Sequence, residues 1–145
     1  MTDQVERLRA TLAAEYAALY AYGRLGVWLE KELRPVAHDA EAAHRARRDA
    51  VVMRLLQRGV KAPVAEAAYA LPAPVTDQAS ALKLAIMIEE RTAAIWRAAL
   101  IDTTGDDRRL AVDGLIDAAI RATRFRKAAG VTPTTVAFPG RLEPN

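Results

Sequence analysis

Helical apolar periodicity constrains this chain more than any other feature of its sequence. Apolar residues recur at steps of three and four over positions 3–33, a stretch without proline, which predicts one long amphipathic helix. Asp3 and Glu6 suit the first turn of that helix, and Pro35 disfavours its continuation past Arg34. The chain is therefore expected to be all-α, with its first connection near residue 34.

The same reasoning predicts three further helices, over about 36–58, 77–102 and 106–129. The residues over 131–145 form a tail, which Val136 and Phe138 would anchor on the helices. The connections are short, long and short, and the long one, over 60–75, holds several prolines and no helical period. At roughly 3.3 Å per residue, this connection can cross a helical bundle. Two hairpins joined by such a crossover form the ferritin-like topology, although an up-down-up-down bundle fits the same lengths.

Size and composition narrow the protein class. A chain of 145 residues matches one domain, 1–145, with a core of its own. The sequence has no cysteine, which removes thiolate catalysis, thiolate metal sites and disulfides and suits the cytoplasm. It also has no apolar run long enough to span a membrane, no glycine-rich phosphate loop and no Ser-His-Asp arrangement.

The net charge is +3 and the pI is about 9.5, and positive charge concentrates in two stretches. The first lies on the second helix and its end, and the second lies on the fourth helix. Their members are Arg45, Arg47, Arg48, Arg54, Arg58 and Lys61, then Arg121, Arg124, Arg126 and Lys127. They are interpreted as solvated helix faces, and the alternative is a surface that binds an acidic protein or nucleic acid.

Two carboxylates lie on apolar helix lines. The first and third helices carry patterns with identical steps, each with a glutamate in its middle and an aromatic residue seven positions later. These patterns are Leu8, Leu12, Glu15, Leu19 and Tyr22, then Leu82, Ile86, Glu89, Ala93 and Trp96. The repeat suggests a pseudo-twofold arrangement. A carboxylate at a core position needs a cation or a metal beside it, so Glu15 and Glu89 predict a charged site inside the bundle.

A metal site is one hypothesis for these carboxylates. Di-iron carboxylate bundles use one glutamate from each of two helices and a Glu-x-x-His pair from each of the other two. Glu15 and Glu89 match the lone glutamates, and Glu41 with His44 matches one pair. The fourth helix offers Asp117 with Ile120, which places isoleucine where histidine belongs. An iron or manganese site would use Glu15, Glu41, His44, Glu89 and Asp117 and would support an oxidase or an iron-handling protein.

The expected positions of Glu15 and Glu41 along the helix axes weaken the metal-site hypothesis. If the first two helices turn near residue 34, Glu41 is level with Trp28, roughly 18 Å from Glu15 along the axis at 1.5 Å per residue. The mismatch shrinks only if the first helix ends early, near Gly26. The favoured hypothesis is a buried ion network in which arginines stand where metals would sit. In a third interpretation, the helices are rotated about their axes so that these charged side chains face solvent.

Several segments resemble one family, the small ferritin-like domain of unknown function numbered 4439. They are residues 12–23 (LAAEYAALYAYG), 43–49 (AHRARRD), 69–72 (YALP), 89–97 (EERTAAIWR), 117–121 (DAAIR) and 138–140 (FPG). The resemblance implies a ferritin-like bundle with a crossover and supplies no activity. It also implies that one group of side chains forms a unit, namely Glu15, His44, Arg47, Arg48, Glu89, Asp117 and Arg121.

These observations lead to one functional expectation. The chain is predicted to be a non-enzymatic binding or structural protein without a cofactor, self-associating as a dimer through a helix face. The alternatives are a di-metal carboxylate oxidoreductase and a module that binds an acidic partner through its arginine-rich helices.

Overall fold

The computed structural model describes residues 3–141, and that part of the chain contains four α-helices and no strand. The helices are α1 (Asp3–Leu25), α2 (Arg34–Gln57), α3 (Gln78–Asp102) and α4 (Gly105–Ala128), with a short 3-10 turn at Gly26–Trp28 after α1. Within the described residues, no helix is both long enough and apolar enough to cross a membrane.

The helix directions establish the topology. In the side-chain pairs that join α1 to α3 and α2 to α4, residue numbers rise on one helix as they fall on the other. These pairs are Arg7 with Asp102, Tyr22 with Glu89, Arg47 with Asp117 and Arg54 with Asp107. α1 is also antiparallel to α2, since Leu8 near its start shares an apolar cluster with Leu55 and Leu25 at its end shares one with Ala37. α2 and α3 therefore run parallel, and their connection crosses the bundle. The fold is a ferritin-like four-helix bundle, as predicted.

The end of the first helix corrects one prediction. α1 ends at Leu25 rather than near residue 33. Leu29 continues the apolar period because it is buried, yet it is extended and follows the 3-10 turn. α2 then begins at Arg34 with Pro35 in its first turn, where the missing N–H costs nothing. The hairpin therefore turns earlier along the chain, which removes the level mismatch and brings Glu15 opposite α2.

Two other helix ends follow the sequence signals. Asp77 precedes α3 and accepts a hydrogen bond from the Ser80 backbone N–H at 2.8 Å, while the Ser80 hydroxyl accepts one from the Asp77 N–H at 3.0 Å. This reciprocal capping box fixes the start of α3. Gly59, just after α2, has a φ of +69°, a left-handed conformation that costs glycine little.

The core consists of two apolar clusters with charged side chains between them. The cluster near the C-terminal end of α1 includes Tyr22, Leu25, Leu84, Ile88 and Phe125. The cluster near its N-terminal end includes Leu8, Leu12, Val51, Leu55 and Trp96. Glu15, His44 and Glu89 are fully buried, which makes the level between the two clusters the distinctive part of the bundle.

The described part of the tail, 131–141, lies against α3 and α4. Arg126 donates a hydrogen bond to the Thr134 carbonyl at 3.2 Å, and Gly140 lies so close to α3 that a Cβ there would be 2.6 Å from the Ala93 carbonyl oxygen. Val136 and Phe138 are 46% and 61% exposed, so they are not the anchors that the sequence suggested. The rest of the predicted tail, 142–145, lies outside the described residues.

Candidate functional site

His44 is the centre of the buried charged site. Its Nδ1 lies 2.5 Å from Glu15 Oε2, and its Nε2 lies 2.9 Å from Glu89 Oε1. Burial alone would lower the pKa of His44, but the neighbouring Glu89 and Glu15 carboxylates raise it to about 9. The ring is therefore a cation at neutral pH, and each of its N–H groups donates to a carboxylate from a different helix.

Two arginines extend the network to Asp117 on α4. Arg47 donates from Nε to Glu15 at 3.2 Å and from Nη2 to Asp117. Arg121 donates to Asp117 at 2.8 and 3.0 Å and lies 3.5 Å from Glu89. Burial would raise the pKa of Asp117, but the hydrogen bonds and charges of Arg47 and Arg121 lower it below its usual value. The carboxylates of Glu15, Glu89 and the partly exposed Asp117 thus each meet a cation, and their charges cancel those of His44, Arg47 and Arg121.

Two aromatic residues each donate a further hydrogen bond to one of the glutamates. The Tyr22 hydroxyl of α1 donates to Glu89 of α3 at 2.6 Å, and the Trp96 indole N–H of α3 donates to Glu15 of α1 at 2.7 Å. Burial and the charge of Glu89 raise the pKa of Tyr22 well above 10.0, so its hydroxyl stays protonated. The repeated sequence pattern thus corresponds to a reciprocal exchange, in which each helix supplies a carboxylate and the donor for the other helix's carboxylate.

The pseudo-twofold relation between α1 and α3 does not extend to α2 and α4. The core-facing pair three residues apart is His44 and Arg47 on α2 but Ala118 and Arg121 on α4. Ile120, which the sequence pattern placed at the missing histidine, is 53% exposed. That assignment was therefore one position out, because Arg121 is the residue of α4 that enters the core.

The structure brings together all but one of the residues predicted to form a unit. Glu15, His44, Arg47, Glu89, Asp117 and Arg121 are joined as described. Arg48 is the exception, since it is partly exposed and pairs with Asp49 at 2.8 Å. Glu41, from the predicted metal set, is also outside the network, because it pairs with Arg45 at 2.7 Å on the surface.

The donor set does not fit a di-metal centre. Both ring nitrogens of His44 face carboxylates, and both oxygens of Glu15 accept hydrogen bonds. Across residues 3–141, no three His, Cys, Asp or Glu side chains are grouped so that they could hold a metal ion. Glu89 Oε2 is buried and has no hydrogen-bond partner in that range, but a single free oxygen is far from a ligand set.

Sequence reasoning missed a second buried ion cluster, which lies at the end of the bundle where α1 begins. Asp107 is 1% exposed and accepts hydrogen bonds from Arg54 at 2.6 Å, from Arg58 and from Gln4. Burial would raise the pKa of Asp107, but the bonds from Arg54 and Gln4 and the charge of Arg58 lower it overall. The cluster ties α1, α2 and α4 together. It also shows that part of the basic stretch on α2 serves the interior.

Gly114 offers a test of the Trp96 position. A Cβ at Gly114 would be 2.7 Å from the Trp96 indole ring, so Gly114→Ala must displace the ring that donates to Glu15. We expect a loss of about 1–3 kcal/mol in the free energy of unfolding, as for other overpacked cores. The indole fluorescence of Trp96 should also change. Gly23→Ala is the control, because nothing lies within 4 Å of its Cβ position; equal effects of the two substitutions would refute the proposed packing.

Solved structures place this bundle among ferritin-like proteins. A conserved hypothetical protein of Mycobacterium tuberculosis is 37% identical, with a TM-score of 0.84 over 86% of this chain and 96% of that one. Two more distant structures share the fold at 15% identity and a TM-score of 0.74. One is a dodecameric thioferritin, the bacterioferritin-related protein of Bacteroides fragilis, aligned over 86% of this chain and 82% of that one. The other is a ferritin-like, diiron-carboxylate protein of Bacillus anthracis, aligned over 89% and 99%.

The family is also established. The model of the domain of unknown function DUF4439 matches residues 7–143, and this chain belongs to that family. A search of curated proteins finds no match.

Proposed function

We propose that this protein is a ferritin-like protein that works without a metal and has a binding or structural role rather than an enzymatic one. The observation that carries the proposal is the position of His44, whose two ring nitrogens bridge Glu15 and Glu89. A protonated ring there supplies the positive charge that a metal would supply in a di-iron bundle. Arg47 and Arg121 supply the remaining positive charge of the site.

Proton linkage supports this assignment. A histidine binds a metal through a neutral ring nitrogen, so a metal must displace the proton that both carboxylates stabilise. The two glutamates are compensated by His44, Arg47 and Arg121. The alternative, an iron or manganese carboxylate protein, requires this network to be rebuilt. The Bacillus anthracis protein is only 15% identical to this chain, so the comparison supports a shared fold and not a shared metal site.

Metal content tests the proposal. Protein purified after growth with iron and manganese is expected to hold well under one equivalent of either metal, because the donor atoms are occupied by protons and guanidinium groups. Elemental analysis of the wild type, Glu89→Gln and the surface control Glu41→Gln checks this. Near two equivalents in the wild type, lost in Glu89→Gln and kept in Glu41→Gln, would contradict the proposal.

Self-association is the second part of the proposal, and the outer face of α4 supports it. Val112, Ile116 and Ile120 are spaced by four residues and are 38%, 51% and 53% exposed, which makes an apolar strip on a convex helix. Such a strip can pair with its own copy about a twofold axis, so we propose a dimer through it. The Bacteroides fragilis relative is described as dodecameric, a related tendency in the same fold.

One substitution tests the dimer. Ile116→Glu places a charge in the middle of the strip, so we expect a dimer in the wild type and a monomer in this variant by analytical ultracentrifugation. Asp113→Asn, on the same exposed turn, is the control and should remain dimeric. A wild-type monomer, or a dimer that tolerates Ile116→Glu, would exclude this interface.

The arginine-rich helices support the acidic-partner alternative less well than their sequence suggests. Several of these arginines bond to acidic residues of the chain itself and are not free for a partner. They are Arg45, Arg47, Arg48, Arg54, Arg58, Arg121 and Arg126.

A cytoplasmic location stays a prediction from the sequence.

A further inference from the structure

An apolar groove on the outside of the bundle is built from parts far apart in the chain. The groove has a volume of about 1100 Å³, at the large end of the range for small-molecule sites. α1, α3 and α4 form its floor, and the crossover around Leu71 and the tail around Phe138 form its sides. It is separate from the charged network, since Glu15, His44 and Glu89 are not among the residues that line it.

Small side chains give the groove its depth. Ala10, Ala13, Ala14 and Ala17 of α1 line it, and their spacing of three and four places them on one face of that helix. Gly140 holds the tail wall close to α3, because any larger residue would meet the Ala93 carbonyl oxygen. The groove is thus formed by the folded chain and does not depend on movement of one loop.

Charge at the rim indicates the kind of ligand. Arg91 and Arg141 both line the groove, and neither forms an ion pair within residues 3–141. The one acidic residue of the lining, Glu90, is already paired with Arg126 at 2.8 Å. Within the described residues, the groove thus combines an apolar cavity with two arginines that have no acidic partner, which complements a ligand that has an apolar body and one negative charge.

From this combination we propose that the groove binds a compact organic anion, with an aromatic or polycyclic body and a carboxylate or sulfonate group. The body would cover the alanines of α1 and the exposed ring of Phe138, and Arg91 and Arg141 would hold the anion. Arg141 already lies over the Phe138 ring, with 5.6 Å between its guanidinium carbon and the ring centre. A second copy of this chain is the competing occupant, because Ile120 belongs both to the groove lining and to the strip of α4 proposed for the dimer. The arginines at the rim favour the anion, since that strip is apolar.

Fluorescent probes test the proposal on the full chain. Anilinonaphthalene sulfonate is the anionic probe, and N-phenylnaphthylamine, which lacks the sulfonate, is the neutral comparison. Ala13→Phe fills the floor of the groove, and we expect it to weaken binding of the anionic probe by about tenfold or more. Ala42→Phe, at an exposed alanine of α2 outside the groove, is the matched control and should bind as the wild type does.

The charge requirement is tested separately. Arg91→Gln is expected to weaken the sulfonate probe by up to about fivefold, the usual range for one exposed ion pair, and to leave the neutral probe unchanged. Arg124→Gln, an exposed arginine of α4 outside the groove, should change neither. The proposal is overturned if the wild type does not bind the sulfonate probe, if Ala13→Phe and Ala42→Phe behave alike, or if Arg91→Gln weakens both probes equally. If the probe binds the monomeric Ile116→Glu variant but not the wild-type dimer, a second copy fills the groove and the proposal is likewise overturned.

Discussion

Replacing His44 with leucine is expected to lower the free energy of unfolding by about 3–5 kcal/mol, the usual cost of removing one member of a buried ion network. The substitution leaves Glu15 and Glu89 inside the bundle without the imidazolium that bridges them. Chemical denaturation followed by circular dichroism measures the loss. His38→Leu is the matched control, because His38 is exposed at the start of the same helix; its effect should stay within about 0.5 kcal/mol.

A double substitution separates loss of charge balance from loss of packing. Glu15→Leu with His44→Leu removes one negative and one positive charge together, so the remaining network of Glu89, Asp117, Arg47 and Arg121 stays neutral. Residues that share a network typically couple by about 0.5–3 kcal/mol. We therefore expect the double variant to lose less stability than the two single variants added together. Purely additive losses would mean that the side chains do not act as an ion network.

Raising the pH is expected to destabilise the protein through deprotonation of His44. Its pKa is about 9 in the folded state against 6.5 for an unperturbed histidine. Because the folded pKa is the higher one, the stabilisation is fully present below pH 6.5 and is lost as the pH rises through 9. That shift corresponds to about 3 kcal/mol. Tyr22 stays protonated over this window because burial and Glu89 hold its pKa well above 10.0.

Denaturation at a series of pH values between these limits measures the effect. The wild type and His38→Gln should both lose stability over this window, whereas His44→Gln should start lower and lose much less. A wild-type stability that is flat from pH 6.5 to 9, or a slope that survives in His44→Gln, would show that His44 is not a buried cation.

The sequence predicted three of the four helices well, and the reason is local chemistry. Pro35, Gly59 and Asp77 are signals that act within one turn of a helix end, so their positions constrain the boundaries. α1 was predicted too long because Leu29 is buried although it is not helical. An apolar period shows which residues are buried, and here Leu29 is still buried after the helix has ended.

The candidate site was partly visible in the sequence for a different reason. A carboxylate on an apolar helix line is costly without a partner, and this cost alone marks Glu15 and Glu89 as members of a charged site. Tyr22 and Trp96 fit apolar seam positions in the sequence, and their polar atoms, which need partners when buried, were the neglected signal. Asp107 was missed because an aspartate in the first turn of a helix usually stabilises that terminus from outside.

Arginine geometry explains why pairings could not be assigned from spacing. Arg47 and Arg48 are adjacent on α2, and only the orientation of the helix decides that Arg47 enters the core while Arg48 pairs with Asp49. Successive residues point about 100° apart on a helix, so an uncertainty of one position exchanges a core residue for a surface residue. On α4, the metal pattern pointed to Ile120, which is exposed, whereas Arg121, predicted separately as a member of the charged unit, is the residue that enters the core.

Nitrogen NMR of the His44 ring is the most direct test of the central claim, that a protonated histidine joins the two buried glutamates in the place of a metal. At neutral pH in protein labelled at histidine, both ring nitrogens of His44 are predicted to carry a proton. Both N–H groups should exchange slowly with water, since the ring is fully buried. Loss of one proton is expected only as the pH approaches 9. A ring that is neutral at pH 7, with one nitrogen bare, or a His44 signal that shifts or broadens when iron or manganese is added, would contradict the account.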